Sequence, residues 1–514
     1  MTKRVLPLLT IITAFSLTLT ACGIVAGGPD TGLPTAATAD PAETGSVNAG
    51  ALKPVSMHMV FMGAMPKDMP LVQAEMDKYT REKLNATVEI RPIDWGAYRD
   101  KTNLMFASNE QFDLLFTSPW MYLGDEVAKG QIIELDSLID RYGQGIKAVL
   151  DPAVVEGGKI NGKTYAVATN KEFAADKGVI LRKDLVEKYG IDISRIKDLK
   201  DLTPVFETIK RNEPGMTPLQ VKGNESPMSV VLGYGKFDML GDGPGVLDRA
   251  ARDFKVIDIL ETPIYMEYAR LQREWYKAGY INKDGASSTE MTYSAVKAGK
   301  AFSYGQSGKP GIDTQEARNA GCELVYVPLT RPYMTTGDTT SAMFAIPTTA
   351  VDPARAMMFL DLLFTDKYLL NLLNWGIEGK HYIKASDSII DYPEGVTAAN
   401  TGYALNMSWM FGNQMNNYLW TTEDPRLWDK LKKFNAEAER SIALGFIFVP
   451  DKVKNEVAAT NSVNTLFQGA INSGSLDPEI VIPQYIQSMK EAGLEKILAE
   501  KQAQLDAWRK ANGR

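Results

Sequence analysis

In 514 residues there are only two cysteines, Cys22 and Cys322, and two histidines, His58 and His381. A disulfide framework is thereby excluded, and nothing has the ligand spacing of a zinc site. Asp-x-Asp-x-Asp-Gly loops are absent too, so neither a metal nor another cofactor is expected. The formal charge is −7 and no Lys/Arg cluster occurs, which argues against nucleic acid as a partner. Beyond the first 21 residues no apolar run reaches the length of a membrane helix. Catalytic signatures are equally scarce. The glycine-rich "LGYGKFDMLGDGPG" at 232–245 misses G-x-G-x-x-G, and Pro244 removes an amide that a phosphate cradle would use; it reads as a surface loop. "SAVK" at 294–297 fits S-x-x-K but has no S-D-N or K-T-G companion, and no G-x-S-x-G elbow appears. Carboxylates are too numerous to exclude a glycosidase-like pair, yet no pattern locates one.

What is present starts with an address. Lys3 and Arg4 precede the apolar "VLPLLTIITAFSLTLTA", and the run ends in "LTAC" at 19–22. A basic start, an apolar middle and small residues before the cut describe a secretory signal over 1–21. Leu19, Thr20, Ala21 and Cys22 resemble the lipobox of a bacterial lipoprotein leader, which implies lipidation at Cys22. Two acyl chains there would suffice for stable anchoring. The following stretch to residue 53 is rich in Gly, Ala, Thr and Pro, has few charges, and reads as a flexible tether. The expected location is the outer face of the cell membrane, or the periplasm if the source has two membranes. Cys322 begins the strand-like "CELVYVPL" and reads as a small buried hydrophobe.

The body alternates strands and helices. "VSMHMVFM" at 55–62, "TVEIR" and "FDLLFTS" at 112–118 read as strands; helices with Asp68 and Asp94 as candidate caps lie between them. Asn161-Gly162 reads as a hairpin turn, and "GVILRKDLVEKYG" as a strand leading into a helix. Such alternation implies α/β lobes, each a doubly wound sheet flanked by helices, with ligands outside the carboxyl ends of the strands. Trp95 and Trp120 fall just past two such ends.

Aromatics are the positive signal for a ligand. Trp375, Trp409, Trp420 and Trp428 crowd one region, and "LNMSWMFGNQMNNYLW" at 405–420 mixes Trp, Tyr, Met and Asn without clean periodicity. Indole offers an apolar face and an N–H donor, a pairing that suits sugar rings as well as packing. Trp428 on a helix reads as core, whereas Trp375 and Trp409 read as binding residues. His58, alternating with methionines, reads as a core histidine, and Met57, Met59, Met62, Met65 and Met69 as core with an adaptable end.

The order of several segments resembles the extracellular solute-binding proteins of ABC importers. "GKTYAVATNKE" is similar to the segment where that family's chain leaves its first lobe, and "AFSYG" at 301–305 to the strand on which it returns. "SAMFAIPTTAVDPARAMMFLDLLFTDKY" is similar to a strand and long helix, and "NWGIEGKHY" at 374–382 to the ligand-facing turn after it. Ala168 stands where the family pattern has proline. The C-terminal "FIFVPDKVKNEVAAT" resembles a lipoprotein sub-branch with an extra domain, one assigned to carbohydrate uptake.

The resemblance implies a type II, two-lobe periplasmic-binding-protein-like fold with a helix-rich C-terminal extension. Residues 54–167 plus 301–349 would form lobe 1, and 168–300 plus 350–514 lobe 2. It implies a monomer that closes on a carbohydrate, delivers it to permease subunits and catalyses nothing. Expected ligand contacts are Trp95, Trp120, Lys171, Glu172, Tyr304, Trp375, Glu378 and Trp409. A surface glycan hydrolase and a peptide receptor of the same fold are the alternatives.

Overall fold

The computed structural model describes residues 52–514 except Tyr122, Asn224 and Ala399. The leader, Cys22 and the tether through residue 51 lie outside the described residues.

Two mixed sheets organise the chain. Their strands are β1 (Val55–Met62), β2 (Ala86–Ile93), β3 (Leu114–Thr117), β4 (Ala166–Ala168), β5 (Asp176–Arg182), β6 (Thr217–Leu219), β7 (Ala301–Gly308), β8 (Leu324–Pro328) and β9 (Met343–Ala345). The first sheet has the order β2-β1-β3-β9-β4 and the second β8-β5-β7-β6. Within the first, β1 runs parallel to β2 and β3, while β9 is antiparallel to both β3 and β4. The hydrophobic alternation of β1 serves this sheet: Met57, Met59, Val60 and Phe61 are fully buried. Helix α1 (Met69–Leu84) covers one side, with Val72, Met76 and Leu84 at helical spacing turned inward. It ends at Asn85, which takes the left-handed conformation with φ 47°.

Asp68 stands at the start of α1 but makes no side-chain cap; its carboxylate is spent elsewhere, as described below. Asp94 likewise lies upstream of α2 (Tyr98–Ala107), accepting from the Gly96 N–H at 3.0 Å in the turn before it. The hairpin turn at Asn161-Gly162 forms as read, with φ of 53° and 79°.

Residues 301–349 do not sit together in lobe 1. Strand β7 pairs with β5 from Ser303↔Leu181 to Gly308↔Asp176, so it belongs to the second sheet, and the chain returns to the first only at β9. Residues from 350 are also divided. Helices α5 (Pro353–Thr365) and α6 (Lys367–Trp375) bury Met357, Phe359, Leu363 and Leu369 in one core with Met59 and Phe344 of the first sheet. Sequence similarity fixes segment order, but the backbone pairing decides lobe membership.

The second core joins Val179, Leu181, Phe206 and Phe302 to helix α3 (Pro263–Lys277), which contributes Trp275. Helices α8 (Lys454–Ser473), α9 (Pro478–Glu491) and α10 (Leu494–Ala511) complete it through Ile471, Val481, Tyr485, Met489 and Leu494. The extension is therefore part of the wall of lobe 2. Its Lys501 is fully buried, and its Nζ donates to the carbonyls of Gly243 (3.1 Å) and Gly245 (3.0 Å). That accounts for the glycine-rich segment: the loop wraps a lysine ammonium, with φ of 71° and 100° at those two glycines. No helix among the described residues is long and apolar enough to cross a membrane.

Candidate functional site

Three crossings join the lobes, and two of the candidate residues lie on the first, between β4 and β5. Tyr333–Met334, on the second, pairs in parallel with Glu439–Arg440 on the third, and Tyr333 also bridges Ala175 on the first. Asn435, at the end of α7 (Leu427–Glu437), pegs the first crossing. Its Oδ1 accepts from the Phe173 N–H at 2.8 Å and its Nδ2 donates to the Lys171 carbonyl at 2.9 Å. A side-chain amide here satisfies the backbone groups that a crossing segment, paired with neither sheet, leaves open.

On the lobe 1 side, aromatic rings line up past the strand ends. Trp95 follows β2 and Trp120 follows β3, and they are 48% and 46% exposed. Trp409, half-buried in a short helical turn, lies 6.3 Å from Trp95 and 6.3 Å from Phe116, ring centre to ring centre; Phe116 lies 6.1 Å from Trp120. The result is a strip of three indoles in which the buried Phe116 ring links Trp409 to Trp120. Trp120 is oriented by its Nε1, which donates to the Ser341 carbonyl at 2.8 Å.

Ser341 also lines a pocket of about 260 Å³ with mostly polar walls, Ala174, Ala175 and Ile312 being the apolar ones. Lys171 and Glu172 form part of it from the crossing, and Lys177, Gln306, Ser307 and Lys309 from the second sheet. The register of β5 and β7 sets Ser307 opposite Lys177, and the Lys177 Nζ donates to Ser307 Oγ at 3.1 Å. Glu172 accepts from Lys309 Nζ at 2.9 Å, with Lys171 Nζ 3.6 Å away. Burial alone would raise its pKa; Lys171 and Lys309 outweigh that and bring it down to about 2. Glu172 is thus ionised at any physiological pH. Burial pushes the Lys177 ammonium the other way, below its ordinary value, and the Asp338 and Asp176 carboxylates offset this in part.

The structure unites Trp95, Trp120 and Trp409 in one strip and Lys171 and Glu172 in the adjoining pocket. It sets three candidates apart from both. Tyr304 is 1% exposed in the packing of lobe 2, where its hydroxyl donates to Glu316 of helix α4 (Ile312–Ala320) at 2.7 Å. Trp375 is the last residue of α6 and is buried, edge to face with Trp420 at 5.5 Å and 86°, among Tyr382, Ile390 and Tyr418. Glu378 is exposed on the turn after it and pairs with Lys384 at 2.9 Å. His381 on the same turn is buried: its Nδ1 accepts from the Ile377 N–H at 2.9 Å, and its Nε2 lies 3.2 Å from the Asp68 carboxylate. That latch, with Lys380 at 3.2 Å, is what occupies Asp68. His381 and Lys380 thus fasten the turn at 374–382 to the start of α1. Lys177, Gln306 and Lys309 were missed, because only strand register reveals that they meet.

The family model for bacterial extracellular solute-binding proteins matches residues 64–369, and a domain of unknown function matches 442–510. A carbohydrate ABC transporter substrate-binding protein of Streptococcus pneumoniae is 31% identical over 466 residues, 89% of this chain and 91% of that one. The crystal structure of an N-glycan transport solute binding protein from Streptococcus pneumoniae superposes with a TM-score of 0.80 at 29% identity, over 89% of this chain and 99% of that one. The structure of that protein in complex with Man5GlcNAc gives a TM-score of 0.72 at 30% identity, with 89% and 99% covered.

Proposed function

The chain belongs to the bacterial extracellular solute-binding proteins, and from that premise we propose that it is the lipid-anchored receptor of an ABC importer, capturing an oligosaccharide between its lobes. The observation that carries this reading is the indole strip Trp95, Trp409 and Trp120, joined through Ser341 to a pocket of lysines, glutamine and an ionised glutamate. Sugar rings present C–H faces ringed by hydroxyls. Indoles stack on the former, and Lys, Gln and Glu side chains bond the latter.

The three laced crossings suit hinge closure, in which a ligand touching both walls stabilises the closed state. Glycans bound by the similar pneumococcal protein support the same ligand class here. Lipid at Cys22 would keep a monomeric receptor on the outer face of the membrane beside its permease. The site performs no chemistry. Glu172, pinned by two lysines at a pKa of about 2, is built to accept hydrogen bonds and not to donate a proton.

The test is a titration of the mature chain with a panel of oligomannose, fructan and peptide ligands, followed by tryptophan fluorescence and small-angle scattering. A saccharide should change the fluorescence and shrink the radius of gyration. A response to peptides alone, or product formation from any glycan, would replace this reading. For the anchor, Cys22→Ser should move the protein from the membrane fraction to the medium.

A further inference from the structure

The pocket holds more positive charge than a neutral ligand needs. Lys177 is 7% exposed, and its Nζ has one hydrogen bond, to Ser307 Oγ at 3.1 Å. An ammonium has three donors, so two make no hydrogen bond to protein, with the Tyr234 ring centre 5.9 Å away. Among the described residues no carboxylate pairs with it within 4.0 Å. The two nearby acids each hold another hydrogen bond. Asp338 accepts from the Thr335 N–H (3.0 Å) and hydroxyl (2.6 Å) in a helix cap, and Asp176 accepts from the Tyr326 hydroxyl at 2.5 Å.

The other two lysines add to the imbalance. Lys309 and Lys171 share the single carboxylate of Glu172. Beside Lys177, Gln306 has its carbonyl oxygen taken by the Ser307 N–H at 2.9 Å, which leaves its amide group to donate. Three lysines thus line the pocket against two carboxylates, Glu172 and Asp338, so positive charge exceeds negative there even with the buried Glu172 Oε2 left without a hydrogen bond. A buried cation without a paired carboxylate costs stability, and a site that keeps one gains most from a ligand that supplies the missing charge.

We propose that the captured glycan carries an anionic substituent, a carboxylate or a sulfate ester, that seats on Lys177 beside Ser307 and Gln306 while its sugar rings reach the indole strip. The inference rests on the glycan reading above and narrows it to acidic saccharides. The lysine wall sets the preference, and the tryptophans bind the skeleton common to acidic and neutral forms.

Matched pairs separate the two levels. Calorimetric titration of the mature chain would compare glucuronate-terminated with glucose-terminated oligosaccharides, and sulfated with unsulfated N-acetyllactosamine. A charge-assisted contact predicts that the acidic member of at least one pair binds roughly 10-fold tighter, and the more favoured pair tells carboxylate from sulfate. The preference should shrink as salt is raised from about 0.05 to 0.5 M. Lys177→Met should abolish it and Lys177→Arg should retain it, with melting temperatures recorded so that a misfolded variant is not read as a binding defect. Equal or tighter binding of the neutral members, or a preference that survives Lys177→Met in a folded protein, overturns this inference and leaves the receptor reading standing. Failure of every saccharide to bind overturns both.

Discussion

Trp95 and Trp375 have the same chemistry and opposite surroundings. The first is 48% exposed past the end of a strand, 6.3 Å from Trp409; the second is 6% exposed in the last turn of α6, against Trp420. Each stands in an aromatic cluster, and each looks like a ligand contact in the linear sequence. What divides them is whether a second segment closes over the ring. The segments carrying Tyr382, Ile390, Tyr418 and Trp420 bury Trp375, whereas Trp95 and Trp120 keep nearly half their surface open. An indole that is part of a core and an indole that waits for a partner should answer mutation in opposite ways.

The largest effect is expected at the core member. Trp375→Ala should cost about 3–5 kcal/mol of unfolding free energy, the range for deleting a buried aromatic ring, measured by urea denaturation. Glycan affinity of the molecules that remain folded should hold. An affinity loss at unchanged stability would break the comparison and return the turn at 374–382 to the site. Trp95→Ala should do the reverse. Its stability should move by no more than about 0.5 kcal/mol, as for exposed positions. Affinity should fall roughly 10- to 30-fold, the scale of an aromatic binding anchor. Retained affinity with a lowered unfolding midpoint would place this indole with the core group.

The same distinction marks what can be read from sequence. Strand β1 at 55–62 and the turn at Asn161-Gly162 are legible because alternation and turn chemistry are local. The indoles past β2 and β3 are legible for a related reason: strand ends in such sheets open toward ligands. Lobe membership is not local. Lys177 and Ser307 meet across 130 residues, and no periodicity in either segment names the other. That is why segment order alone sets β7 in lobe 1, where its pairing does not put it, and gives no sign of the lysine wall. The turn at 374–382 misled for the complementary reason. Its polar residues are diverse enough for chemistry, but the partner of His381 is Asp68, far upstream on another element.

The smallest expected effect comes from that latch, and its sign is fixed by geometry. His381 Nδ1 accepts from a backbone N–H, so the neutral imidazole carries its proton on Nε2 and donates toward Asp68. Protonating Nδ1 would set two donors face to face. Burial accordingly pushes the imidazole below its ordinary 6.5, against the pull of Asp68. Hydrogen bonds from His381 and Lys380 hold Asp68 below its ordinary 3.8. Both folded values are depressed, so both groups stabilise the fold at neutral pH. The His381 share starts to fade below its ordinary 6.5, where the unfolded chain takes up a proton that the native state refuses, and the Asp68 share below its ordinary 3.8. The urea midpoint should therefore decline between about pH 7 and 5, and His381→Gln should flatten part of that decline. Glycan affinity across the same range should not follow the variant, since the latch fastens the covered aromatic cluster and not the open strip. Equal slopes for the two proteins would remove His381 from the fastening.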